Sequence, residues 1–389
     1  MEVAPVMSLA LSPASTSPRL DLLLERELAP AVVAIDLEGR YPERFLRLLG
    51  AAGGFAPAAG ATRAAPQGLP QLIGTMASIG TWCGSTAFLY WCQTACARYL
   101  RLSENETLKH ELLPQLLTGE LLGGTGLSNP LKASSAIEPF RLRARPVADG
   151  FEVDGVLPWV SNLGPSHVFV TGCPVEGDGR LVFFLVRCGD ERIRLLAEAH
   201  FAALEGTRTF GVVLRGYRVS AHDVLATPEA SEAFLARIKP GMMLSQLGLA
   251  IGITRDAIAL IREAARGREA VNAHLPTQAF ELERSLFELE RDVAVLAARI
   301  EAGAVGPAVM PEVLRLRLAG AELALHAAQA ALLHQGAKGF LREARAQRRL
   351  REACFMAIVT PAVKHLRLEL ARLSGAVEDK TVTLLRRKA

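Results

Sequence analysis

The residues best suited to chemistry lie in the stretch VLPWVSNLG, Val156 to Gly164. An apolar run ends in Trp159, the hydroxyl of Ser161 stands two residues on, and Asn162 follows. An indole face beside a polar rim suits a flat ligand with polar edges, and a core Trp followed by turn residues has the same pattern. A second set is GLSNPLKASS, residues 126–135, which on its own reads as a Ser/Asn-rich turn. In FLYWCQTAC, Gln93 sits in an otherwise apolar run beside Tyr90 and Trp91 and needs a polar partner. Cys83, Cys92, Cys96, Cys173, Cys188 and Cys354 show neither CxxC spacing nor a Cys/His cluster, so no metal site is expected. They read as buried reduced thiols, Cys92 and Cys96 on one helix face. A GxGxxG nicotinamide fingerprint is absent.

Those residues are carried by 389 positions, half of them hydrophobic, enough for two or three domains with a large interior. A net charge of +4 does not demand nucleic acid or anionic lipid as partner. The first twenty residues have no basic segment before their apolar stretch and make a poor signal peptide. Uninterrupted apolar runs fall short of a membrane span. The expectation is a soluble cytoplasmic protein.

Three textures follow one another. Residues 1–122 read as a helical domain, with LPQLIGTMASIGTWCGSTAFLYWCQTACARYL apolar on nearly all sides and GAAGGFAPAAGATRAAPQG as loop. Ser103 followed by Glu106 marks a helix start. Residues 123–228 change to short β-branched runs, FEVDGVLPWV, HVFVTGCPV, RLVFFLVR and FGVVLRGYRV, a mostly antiparallel β-domain. Residues 229–389 return to four long helical segments, a C-terminal four-helix bundle. The basic run LREARAQRRLREA predicts a solvated helix face. The fold class is α+β, mostly α.

This layout, with the residues above, resembles the acyl-CoA dehydrogenase superfamily of flavoproteins over nearly the whole chain. LPWVSN is similar to that family's K-x-W-I-T-N segment, which implies that Trp159 stacks on a flavin ring and Ser161 meets its N5 edge. GLSNPLKASS resembles x-T-E-P-x-x-G-S-D. Leu127 and Ser128 then fall on the cofactor loop, and Ser134 or Ser135 on the pyrophosphate serine, with Asn129 replacing the acid. GITRDAIALIREAARGREAVN resembles the Gly…Arg-x-x-Phe-Gly helix, implying that Arg268 reaches the FAD of a neighbouring subunit. HQGAKGF resembles x-G-G-x-G-(F/Y), implying backbone contacts at Gly336, with Leu333 where the family has Gln. Tyr90 and Gln93 fall where members line the substrate cavity. The resemblance implies FAD, or alternatively FMN, an acyl-thioester substrate from fatty acid metabolism, and a homotetramer or homodimer. An electron-transfer flavoprotein or flavin reductase is the implied redox partner.

The family abstracts an α-proton with the Glu of I-Y-E-G-T, a base that needs a pKa not far from neutral. At that position stands Thr360, whose hydroxyl does not ionise usefully, followed by Pro361. A second station used by some members falls near Met242, with no acid beside it. Three readings follow. One is a dehydrogenase with an unrecognised base, a carboxylate from the 51–75 loop region or a histidine such as His334. Another is a monooxygenase of the same superfamily, using reduced flavin from a partner reductase. The third is a catalytically silent binding protein on this fold.

Overall fold

The helices of the first third differ in why they form. A computed structural model describes residues 18–62, 65, 67–197 and 199–375, so most of the stretch read as a poor signal peptide lies outside the described residues. The early helices are α1 (Pro18–Leu23), α2 (Val32–Leu37) and α3 (Glu43–Ala51). The long apolar run folds as two helices, α4 (Leu69–Trp82) and α5 (Gly84–Leu102), because Cys83 between them is extended. Helix α5 is buried from Gly84 to Leu100, as its all-round apolar sequence requires. Helix α6 (Glu106–Thr118) begins two residues later than the sequence suggests. Its cap is Asn105, whose side chain accepts from Leu108 N at 3.0 Å, while Ser103 Oγ donates to Leu225 O at 2.7 Å.

The strands form two four-stranded sheets, with the short helix α7 (Ser128–Ser134) after the first strand. One sheet runs β1 (Gly123–Thr125), β4 (Val168–Pro174), β5 (Leu181–Arg187), β8 (Val224–Ala226). The other runs β2 (Leu142–Val147), β3 (Gly150–Val160), β7 (Phe210–Ser220), β6 (Ile193–Leu196). Only the β1–β4 pairing is parallel among the described strands. The continuous apolar runs of β4 and β5 have a simple cause: both faces of this sheet are covered. Val168, Val170, Phe183 and Leu185 face the helical core, while Phe169, Val182, Phe184 and Val186 face the second sheet.

The final third comprises α8 (Ser231–Ser245), α9 (Leu247–Ala265), α10 (Glu269–Asn272), α11 (Ala279–Glu301), α12 (Met310–Gln335), α13 (Arg345–Ile358) and α14 (Val363–Leu373). The expected four segments are recognisable, the first interrupted at Gln246 and the last at Thr360–Pro361. The α8–α9 stretch, Ser231–Ala265, is long and apolar enough for a membrane span by composition, but 89% of its window is buried inside the protein, as in a core helix. Helix α4 packs on α9 at backbone distance: a Cβ on Gly252 would lie 2.7 Å from Gly80 Cα. Five cysteines are buried and reduced, and Cys354 is exposed.

The basic run of α13 is not a solvated face, contrary to its sequence. Arg349 and Glu352 are essentially inaccessible. Arg349 pairs with Glu352 at 2.6 Å and with Asp256 of α9 at 2.5 Å, and it also reaches the Thr81 carbonyl. Glu352 accepts from Gly84 N at 2.8 Å, so one ionic knot joins α13, α9, α4 and α5. Charge alone says "surface"; partners about 90 residues away in sequence, Asp256 among them, make burial affordable. A second knot is Glu301 of α11, which receives Arg98 at 3.2 Å, Arg101 at 2.9 Å and the backbone N–H groups of Ala61 and Leu69. Burial alone would raise the Asp256 and Glu301 carboxyls, yet their arginines outweigh it and hold both below the usual range.

Removing one member of the first knot leaves two buried carboxylates short of a partner. Arg349→Met is expected to cost about 3–5 kcal/mol in chemical denaturation. Because the Asp256 carboxyl is depressed in the folded state, its contribution is complete above the unfolded value of about 4 and is lost as pH falls through the lower folded value. Acid titration of folding stability should therefore show a loss below about pH 4 that Arg349→Met blunts.

Candidate functional site

The end of β3 departs from strict alternation. Pairing with β7 is irregular between Leu157 and Val160, both of which point inward, and this turns Trp159 out. Trp159 is 62% exposed and touches Phe201 edge-on, ring centres 6.2 Å apart. A Trp inside finished core would be covered, so this open indole face fits a flat ring. Ser161 Oγ lies 2.6 Å from Thr209 Oγ1, which lies 2.8 Å from Thr207 Oγ1. Gly124 of β1 passes so close that a Cβ there would stand 2.3 Å from the Ser161 carbonyl.

Asn162 takes the left-handed conformation, φ +64°, and is held on every side. Tyr41 Oη donates to its Oδ1 at 2.6 Å, its Nδ2 donates to Gly123 O at 2.7 Å, and His167 Nδ1 meets its carbonyl at 2.9 Å. Gln93, fully buried, completes this cage. Its Nε2 donates to the Leu116 and Leu121 carbonyls at 2.8 and 2.9 Å, and its Oε1 accepts from Gly123 N at 2.7 Å. Tyr90 is likewise fully buried, its hydroxyl donating to Gly54 O at 3.1 Å against the Phe55 ring. The polar partners that Gln93 requires are backbone groups.

Helix α7 brings the second set to Thr360. Leu127 is buried just before the helix, its N–H near Thr125 Oγ1 at 3.4 Å. Ser128 Oγ lies 2.7 Å from Thr360 Oγ1, so the position of the family base holds a hydroxyl pair. Ser134 is exposed, whereas Ser135 Oγ donates to Glu369 of α14 at 2.8 Å. A small cavity of about 10 Å³ beside this pair is lined by Leu131, Met243, Lys239, Thr360 and Glu369, and Glu369 is the one carboxylate among its described lining residues. Lys239 stands 3.8 Å from Glu369, and Lys132 is neutralised by Glu138 at 2.9 Å. Asn129, in place of the family acid, ties the loop instead, accepting from Arg141 N at 2.9 Å. Behind Thr360, Gln246 donates to its carbonyl at 3.0 Å and accepts from the fully buried Arg317 at 2.8 Å. Among the described residues Arg317 has no carboxylate partner and its Nη1 has no hydrogen-bond partner, and burial pulls its guanidinium down, to about 9.

The other expected cofactor residues lie elsewhere in the chain. Arg268, between α9 and α10, is exposed, and no ion pair engages its side chain among the described residues. Gly336 ends α12 at φ +63° and is exposed, with Leu333 54% exposed beside it. Among the described residues, no hydrogen bond or ring contact joins either to Trp159.

The suggested bases do not reach the site. The 51–75 region contains no Asp or Glu. His334 is buried in a separate cavity with Thr277, whose carbonyl its Nε2 meets at 2.8 Å. Met242 is buried, and its carbonyl accepts from Trp91 Nε1 at 3.1 Å. Sequence reading missed Thr207, Thr209 and Glu369, which carry no local signal and are placed by the approach to β7 and by α14.

Gln93→Leu should leave Gly123 N and two carbonyls buried without partners, at about 2–4 kcal/mol in denaturant melts. Thr94→Ala on the same helix removes only a hydroxyl bonded within its own turn and should cost about 1 kcal/mol.

No protein-family model matches the chain. The probable acyl-CoA dehydrogenase YngJ of Bacillus subtilis (strain 168) is 24% identical over 366 residues, covering 90% of this chain and 94% of its own. Butyryl-CoA dehydrogenase from Megasphaera elsdenii superposes with a TM-score of 0.80 at 16% identity, covering 96% of this chain and 99% of that one. KijD3, solved in complex with FMN and a dTDP-sugar, superposes with a TM-score of 0.78 at 19% identity, covering 96% of this chain and 98% of that one. The chain has the acyl-CoA dehydrogenase fold, and its sequence likeness to YngJ runs along nine-tenths of its length.

Proposed function

We propose that this protein is a flavin-dependent oxidoreductase acting on an acyl-thioester held between the end of β3 and helices α7, α8 and α14. The observation that carries the reading is the outward-turned Trp159, an uncovered aromatic plate with a hydroxyl two residues on. Trp159 would support the ring face, and Ser161 and the backbone around Leu127 would meet its polar edge. FAD is favoured over FMN by the exposed Arg268, a cation suited to the phosphates of a second copy's cofactor.

A bound flavin supplies the hydride acceptor for α,β-dehydrogenation. The chain must supply the proton acceptor. Glu369 is the carboxylate in the Thr360-lined cavity, held by Ser135 Oγ with Lys239 nearby, and it is assigned that role. Electrons then pass to an electron-transfer flavoprotein. A second reading, oxygen-dependent chemistry with flavin reduced by a partner reductase, is favoured by the Ser128–Thr360 hydroxyl pair, since that chemistry needs no base at this position.

Anaerobic mixing of the flavin-loaded protein with a panel of acyl-thioesters should bleach the flavin absorbance, and Glu369→Gln should slow bleaching by about a hundredfold or more. Bleaching that survives Glu369→Gln moves the base elsewhere. No bleaching, but oxygen-dependent turnover when a reductase is added, establishes the second reading.

A further inference from the structure

Counting protons along the hydroxyls beside Trp159 fixes a direction. Thr207 is buried, and its Oγ1 donates to the Leu204 carbonyl at 2.6 Å. A carbonyl oxygen only accepts, and a hydroxyl has one proton to give. Thr207 therefore has none left for Thr209, 2.8 Å away, so Thr209 donates and Thr207 accepts. With its proton committed, Thr209 can only accept from Ser161, whose Oγ lies 2.6 Å away. Two hydroxyls on the approach to β7 thus draw the Ser161 proton away from Trp159. Toward the open side the Ser161 oxygen offers lone pairs alone.

We propose that this relay makes Ser161 a hydrogen-bond acceptor only, so that the site selects a ligand bearing an N–H at this point. The inference rests on the flavin reading above. Oxidised flavin presents a bare acceptor nitrogen at N5, whereas reduced flavin carries a hydrogen there. Two acceptors face to face lose the hydrogen bond that each had to water, and a donor–acceptor pair does not. The relay therefore favours the reduced cofactor over the oxidised one. The effect belongs to Thr207 and Thr209, neither of which need touch the flavin.

The test is binding, not turnover. The full-length protein is titrated with FAD in its oxidised form, and anaerobically in its dithionite-reduced form, and the ratio of the two dissociation constants is read. The wild-type protein should bind reduced FAD about tenfold more tightly, the worth of one hydrogen bond, equivalent to about 30 mV in a two-electron potential. Thr207→Val frees the Thr209 proton to turn toward Ser161, and Thr209→Val leaves Ser161 without its acceptor. Either change releases the Ser161 proton toward the ligand and should lower the ratio about tenfold. Thr209 is only partly buried, so its variant keeps the test alive should Thr207→Val fail to fold. A ratio unmoved in the folded variants, or a wild-type preference for oxidised FAD, overturns the relay while leaving the flavin site standing. Failure of the wild-type protein to bind FAD in either state overturns the flavin reading and the relay together.

Discussion

The carboxamide of Gln93 joins backbone from three parts of the chain. It holds the C-terminal end of α6 and the residues after it through two carbonyls, and it holds the first residue of β1 through an N–H. Asn162, locked to Gly123, then fixes where β3 stops. Because β1 runs into α7, the same anchor governs how Ser128 approaches Thr360 and how Ser161 stands beside Gly124. A fully satisfied buried amide is among the few side chains that can specify backbone placement in an apolar interior. The two halves of the candidate site therefore share one origin, although they are more than thirty residues apart in sequence.

Around this anchor the helices are held by charge as well as by apolar packing. Asp256 and Glu301 each gather arginines from other elements and have their negative charge met within the protein. Arg317 is the contrast: equally buried, it has amide and carbonyl oxygens for partners and no carboxylate among the described residues. An uncompensated cation lying behind Thr360 gives that end of the cavity a positive potential. Such a potential is suited to a substrate whose carbonyl oxygen gains negative charge during reaction.

The legible part of the sequence was whatever periodicity or a short motif could carry. The change of texture from helical to strand-like runs, the strands bearing HVFVTGCPV and RLVFFLVR, and the Trp159–Ser161–Asn162 triplet could all be read before any coordinates. What could not be read depends on distant partners. The arginines of α13 looked solvated because Asp256 and Gly84 are invisible from their neighbourhood. Gln93 looked like a cavity residue because an isolated amide in an apolar run does not say whether it meets a ligand or a backbone. Thr209 acquires meaning only once β7 returns past the end of β3. The vacancy at Thr360 was visible in the sequence, whereas the nearness of Glu369 required the fold of α14.

The β4–β5 hairpin buries alternate side chains in two different interiors, the helical core on one side and the second sheet on the other. Inserting or deleting a single residue in either strand would exchange the two sets at once, so neither strand can change length by one. The connecting turn is under no such restraint: Gly177 and Gly179 there have nothing within 4 Å of where a Cβ would stand. A change of length in this hairpin is thereby confined to its tip. That tip is also the natural place to graft a tag or reporter without disturbing either interior.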